Sequence, residues 1–275
     1  MLRNYLSVLL IMLQHAVTAQ TLRDHIAAPY TGVTAYSVHH VDAFSFTANQ
    51  ASLAKIRNSA IAVYGEQRFM INALNLYSAV VALPTSEGNF GLQIDYFGFK
   101  DFNESQIGLA YARSLGSKLD IGIKFNYFSF RIPSYLTSSA VNFEIGAIAH
   151  LTDKLHTGIH IYNPVGGNLS KTDNEKLRSA YELGVGYEAS ESFLITAEII
   201  KQEDLPVNII AGMQYNFKRQ FFVRTGINTE DSSPYAGAGL SWKDLRLDIS
   251  ASYHPQLGIS PGVMLIVNFK SKKRE

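Results

Sequence analysis

Two histidines four positions apart, His156 and His160, and the adjacent pair His39 and His40 are the residues of this chain best suited by type to metal or proton chemistry. Neither pair makes a metal site. On an extended strand His156 and His160 stand about 13 Å apart, too far to hold one ion. His39 and His40 can hydrogen-bond a carboxylate and change charge near neutral pH. Acyl-transfer hydrolysis needs nucleophile, base and orienting acid within hydrogen-bond reach, and the one Gly-x-Ser-x-Gly match, Gly258–Gly262, opens a strand rather than a strand-to-helix elbow. Neither a phosphate-cradling loop nor a dinucleotide fingerprint is present. The chain contains no cysteine, which excludes thiolate catalysis, thiolate metal sites and disulfides. The residues therefore describe a protein that is not an enzyme and uses no metal or cofactor.

What remains is ionic and hydrogen-bonding chemistry at alternate positions. Asp95, Lys124, Glu144, Glu182, Arg246 and Asp248 each stand between apolar neighbours, and Arg224 stands between Val223 and Thr225. Gln93, Asn126, Asn142, His156, His160, Glu198 and Gln214 share that parity. Both signs are present. Unpaired charges away from water are costly, so this set either lines a wet pore or pairs into a network that closes an interior. Glycines on the same face, among them Gly122, Gly146, Gly186, Gly212 and Gly226, leave room for something passing close by.

The elements that would hold these residues are strands. In Leu119–Tyr127, residues Leu119, Ile121, Ile123, Phe125 and Tyr127 point one way, while Asp120, Gly122, Lys124 and Asn126 point the other. The pattern recurs from 58–65 to 259–269 and predicts about fourteen antiparallel strands, an even number. About ten such residues, tilted, cross a bilayer. Lipid offers nothing to an unpaired edge, so the sheet must close. The fold class is all-β: a transmembrane barrel, apolar outside and polar inside, meeting outer-membrane lipid and located in the outer membrane of a Gram-negative cell. Aromatics at strand ends, such as Tyr187, Tyr215, Trp242 and Phe269, fit interfacial girdles.

Four regions follow. Residues 1–19 read as a secretory signal, with Arg3, a short apolar run and Ala16-Val-Thr-Ala19 before the cut. Residues 20–57 lack sustained alternation and are placed in the lumen, with a helical turn near Asn49–Lys55. Residues 58–269 form the barrel, and 270–275 are a basic periplasmic tail. Asn163–Lys176, the longest connection, falls on the outer side by parity. Lysine plus arginine (24) nearly balances aspartate plus glutamate (23), so no basic footprint suggests a nucleic-acid partner.

The stretch Asn49-Gln50-Ala51-Ser52-Leu53 before the first strand resembles the Asn-Pro-Ala-Gly-Leu hatch motif of FadL-like outer-membrane channels. Gln50 stands where that motif has proline and Ser52 where it has glycine. Together with Asn103–Tyr111 and Tyr253–Pro261, the pattern is similar to the PorV/PorQ-like barrels of Bacteroidota. The resemblance implies a fourteen-stranded barrel with an N-terminal hatch carried by Asn49, Gln50 and Ala51. FadL-like barrels move hydrophobic molecules. PorV-like barrels are protein-binding subunits of type IX secretion. The short connections here favour the second kind: an accessory or scaffold subunit for protein export or outer-membrane assembly, in complex with other envelope proteins. The alternative is a channel or transporter for small hydrophobic or polar solutes.

Overall fold

The computed structural model describes residues 35–37, 39–133, 136–166, 177–217 and 220–269. The signal segment 1–19, residues 20–34, most of the Asn163–Lys176 connection and the tail 270–275 lie outside the described residues.

Fourteen strands follow in order. They are β1 (Ser59–Gln67), β2 (Asn75–Pro84), β3 (Asn89–Phe99), β4 (Phe102–Leu115), β5 (Leu119–Ile132), β6 (Leu136–His150) and β7 (Leu155–Tyr162). The second half holds β8 (Ala180–Ser190), β9 (Phe193–Gln202), β10 (Val207–Phe217), β11 (Phe221–Asn228), β12 (Ser233–Trp242), β13 (Leu245–His254) and β14 (Gly258–Phe269). Each strand pairs antiparallel with its sequence neighbours. β1 closes the ring on β14, from Ser59 opposite Phe269 to Glu66 opposite Gly262. The sheet therefore has no edge, as a barrel in hydrocarbon requires.

Burial follows the period of two. In β3 every second residue from Phe90 to Tyr96 is exposed and those between are buried. Ile61, Phe125, Val141, Leu183, Ile249 and Val263 are among the large apolar side chains left on the outside. An exposed apolar belt of this extent needs an apolar solvent.

Two features of the interior differ from the sequence expectation. First, the inner wall is not polar all round. Ala60, Ala62, Leu76, Val80, Ala82, Ala110 and Ala112 make it small and apolar over β1, β2 and β4. Phe44, Phe46 and Leu53 of the N-terminal segment pack there, fully buried. Periodicity reports which face a residue takes, and small apolar residues on an inward face disturb it little. Second, β6 begins at Leu136, whereas the alternation in the sequence places this strand at 139–151. Thr137 and Ser138 break the apolar alternation, yet they pair with Arg131 and Phe130 across the hairpin.

The segment itself forms one α-turn (Ser45–Ala48) and a 3-10 helix (Gln50–Lys55). It lies inside the barrel against β3, β4, β5 and β6. A Cβ on Gly122 would stand 2.5 Å from the carbonyl carbon of Gln50, and one on Gly91 would stand 3.0 Å from the Phe46 ring. Glycine at these positions is what lets the segment reach the wall.

Candidate functional site

The site is built where the 3-10 helix meets the inner wall. Asn49 is extended, and its side-chain oxygen accepts the Ala51 amide at 3.0 Å. This Asx cap starts the helix. The Asn49 side-chain amide donates to the carbonyls of Ala147 (3.4 Å) and Ile159 (3.2 Å) on β6 and β7. Gln50 points into the wall, where its amide donates to Glu144 and lies 3.3 Å from His160 Nε2. Ala51 is fully buried.

Glu144 is the hub of the first polar cluster. Lys124, its direct cross-strand partner, approaches it at 3.0 Å. Asn126 donates to it at 2.6 Å. His160 Nε2 lies 3.0 Å from Glu144, and Nδ1 of the same ring lies 2.8 Å from Glu182. Lys124 also donates to Gln93 (3.1 Å), and Gln93 donates to Asp95 (2.7 Å). One connected chain thus joins Asp95, Lys124, Glu144 and Glu182, with the N-terminal segment attached through Gln50. Every one of these side chains is buried, so mutual pairing is what makes their charges tolerable.

Arg224, Arg246 and Asp248 form a second cluster on the opposite wall. Asp248 accepts from Arg224 at 2.9 Å and from two nitrogens of Arg246 at 2.9 and 2.8 Å. Both guanidinium groups stack on Phe222, at 4.6 and 4.2 Å from its centroid. Arg246 reaches on to Asp42 of the N-terminal segment at 3.1 Å. The seven charged positions singled out in the sequence therefore fall into two groups, the first tied to the segment through Gln50 and the second through Asp42.

A third tie was not singled out. Lys55 pairs with Asp120 at 3.0 Å, and Asp120 also holds His150 at 2.7 Å. Asp120 shares the inward parity of Lys124, and that parity was the available signal. His39 binds Glu188 at 2.7 Å. His40 Nδ1 contacts Ser37 at 3.1 Å. Burial holds the His40 imidazole down at about 4, with Glu188 opposing and His39 and Arg246 assisting. Among the described residues no three His, Asp or Glu side chains converge to hold a metal ion.

The wall of β8 to β13 carries two cavities among the described residues. One, of about 350 Å3, opens at the end where β1 finishes, beside Glu66, Glu182 and Tyr235. The other, of about 360 Å3, opens at the opposite end, beside His40, Gln214 and Arg246. Glu198 and Arg224 lie on the wall between those ends.

No family model matches the chain, and no curated protein matches it in sequence. Solved structures do. A structure described as the CymD monoaromatic hydrocarbon channel superposes with a TM-score of 0.62 at 11% identity, covering 86% of this chain and 95% of that one. The fold is that of an outer-membrane channel barrel. The Pseudomonas putida toluene transporter TodX gives 0.59 at 10% identity, over 84% of this chain and 95% of that one. A Pseudomonas aeruginosa FadL homologue gives 0.53 at 12%, over 82% and 93%. At such identities the likeness is one of fold. It reaches FadL-like barrels, and these structures do not bear on membership of the PorV/PorQ-like group of Bacteroidota.

Proposed function

We propose that the protein is a non-catalytic outer-membrane channel for small solutes, with residues 35–57 acting as a hatch inside its lumen. The observation that carries this reading is the asymmetry of the interior. The 3-10 helix covers the wall of β3 to β6, while the facing wall of β8 to β13 keeps a cavity at each end. A solute would enter beside Glu66 and Tyr235, pass the Glu198 and Arg224 region, and leave beside Gln214 and Arg246. Polar side chains along such a route replace the water that a solute sheds. The barrels of similar fold are described as hydrocarbon channels and a toluene transporter, which favours transport over a scaffold role in protein export.

Swelling of proteoliposomes in small neutral solutes tests the reading. Glycerol should enter faster than in protein-free vesicles, and deletion of residues 39–57 should speed entry further. Vesicles holding folded barrel, intact or deleted, that swell no faster than empty ones would overturn it.

A further inference from the structure

The two cavities of the β8 to β13 wall share no lining residue. Along β10 the inward positions run from Ile210 beside the first cavity, through Gly212, to Gln214 beside the second. Along β12 they run from Tyr235, through Gly237 and Gly239, to Ser241. The first cavity therefore ends on Ile210 and Tyr235, joined there by Ile200 of β9. These three side chains pack together, each nine-tenths or more buried, as an apolar floor beneath polar walls.

Two glycines set Tyr235 into this floor. Gly226 is its partner across the β11–β12 pairing, and Gly212 is the partner of Gly226 on β10. A Cβ on Gly226 would stand 2.3 Å from both Cζ and the hydroxyl oxygen of Tyr235, and one on Gly212 would stand 2.3 Å from the same oxygen. The ring thus lies along the wall in a slot that glycine leaves open. Packing on Ile200 and Ile210 holds it there. No hydrogen bond does, because the buried hydroxyl has no partner among the described residues. A buried hydroxyl without a partner is destabilising. Turning into the cavity that Tyr235 already lines would hydrate it. Packing favours one position of the ring and hydration the other, which is what a two-state element requires.

Building on the channel reading above, we propose that Tyr235 is the gate between the two cavities and that the apolar floor around it selects uncharged solutes. With the ring in its slot the floor is closed. With the ring turned into the first cavity, a passage opens over Gly226 and Gly212. The solute then slides past Ile200 and Ile210, which offer an ion nothing in place of its water.

Proteoliposome swelling in glycerol tests the gate with the full chain, Gly212→Ala, Gly212→Ala/Tyr235→Phe and Tyr235→Ala, each rate taken per heat-modifiable folded barrel. A methyl on Gly212 meets the Tyr235 hydroxyl oxygen, while the next atoms, Thr196 Oγ1 and the Thr225 carbonyl oxygen, stand at an ordinary 3.4 Å. Gly212→Ala should therefore expel the ring and speed entry roughly tenfold, the size of a modest overpacking clash. Tyr235→Phe in the same chain removes the clashing atom and should return the rate to that of the full chain. Tyr235→Ala should be as fast as Gly212→Ala. Selection is read as potassium chloride conductance in planar bilayers. Tyr235→Ala should keep it low, and adding Ile200→Ser/Ile210→Ser should raise it several-fold. Equal rates for the full chain and Tyr235→Ala, slower entry through Gly212→Ala, or no return of the rate with Tyr235→Phe would each overturn the gate. Conductance through Tyr235→Ala as high as through the variant with the polar floor would overturn the selection. Swelling at one rate through all four sinks the gate and leaves the channel. Swelling through none sinks the channel reading, and the gate with it.

Discussion

Gln50 and Glu144, ninety-four positions apart, meet at the inner wall of the barrel through the side-chain amide of one and the carboxylate of the other. The contact ties the N-terminal segment to the same carboxylate that neutralises Lys124 and His160. Position 50 is where the FadL-type hatch motif has proline, which has no side-chain donor. A proline could make no such contact, whereas Gln50 anchors the segment through a hydrogen bond into the wall. Displacing the segment leaves Glu144 with fewer donors, so docking of the segment and charge balance of the wall are linked.

The close approach at Gly122 yields the first prediction. A methyl group there would stand 2.5 Å from the Gln50 carbonyl carbon and 2.7 Å from the Ala51 nitrogen. Both are backbone atoms, so the segment must move. Gly122→Ala is expected to leave a heat-modifiable barrel while raising single-channel conductance and protease access to residues 39–57. Gly65→Ala, whose methyl meets only the Tyr77 ring at 3.6 Å, is the control. Equal conductance in the two variants would show that the segment does not obstruct the lumen.

Opposite faces of one strand give the second. Ile249 on β13 is 59% exposed on the outside, while Ser252 on the same strand lines the cavity beside Glu66 and Tyr235. Ile249→Arg sets a charge in hydrocarbon and is expected to cost about 2–4 kcal/mol near the midplane. Ser252→Arg enters a polar, acid-rimmed space and should cost far less. Urea unfolding from lipid vesicles measures both, and equal losses would reverse the assignment of faces.

How much of this was legible follows from what periodicity can carry. The strand through Leu119–Tyr127 is readable because Leu119, Ile121, Ile123 and Phe125 alternate with Asp120, Gly122 and Lys124; the strand observed is Leu119–Ile132. Parity also put Lys124 and Glu144 on one face. It did not say that they face each other, because that depends on the register of the β5–β6 hairpin. The contacts of the segment were less accessible still. Asn49 reaches two carbonyls and Lys55 reaches Asp120 across distances along the chain that no local pattern encodes. The alanine-rich wall over β1, β2 and β4 went unread because small apolar residues look alike on either face.

Removing one partner of a buried ion pair gives the third prediction. Lys124→Met leaves Glu144 buried with one cationic neighbour fewer, and such a break costs about 3–5 kcal/mol. Lys124→Met/Glu144→Gln removes both charges and should recover much of that loss. Urea unfolding of the two variants decides. A cost for Lys124→Met of under about 1 kcal/mol, the range of an exposed pair, would mean that water reaches this part of the lumen freely.

The last prediction concerns acid. His40 lies outside the strands, buried against Ser37 at 3.1 Å, with Glu188 4.0 Å away and His39, His156 and Arg246 near. Burial lowers its value from 6.5 to about 4 in the docked segment. Released, the imidazole returns towards the ordinary value, so the undocked state binds the proton more readily. The sign follows: docking is fully stable above about 6.5 and weakens as pH falls towards about 4. The linked loss is at most about 3.5 kcal/mol, each pKa unit being worth about 1.4 kcal/mol. Protease access to residues 39–57 in proteoliposomes should therefore rise between pH 6.5 and 4, and conductance should rise with it. His40→Gln keeps a polar side chain without the titrating ring and should flatten the profile, whereas His39→Gln should keep it. A profile that His40→Gln leaves unchanged would assign the acid response to another group and remove His40 from control of the segment.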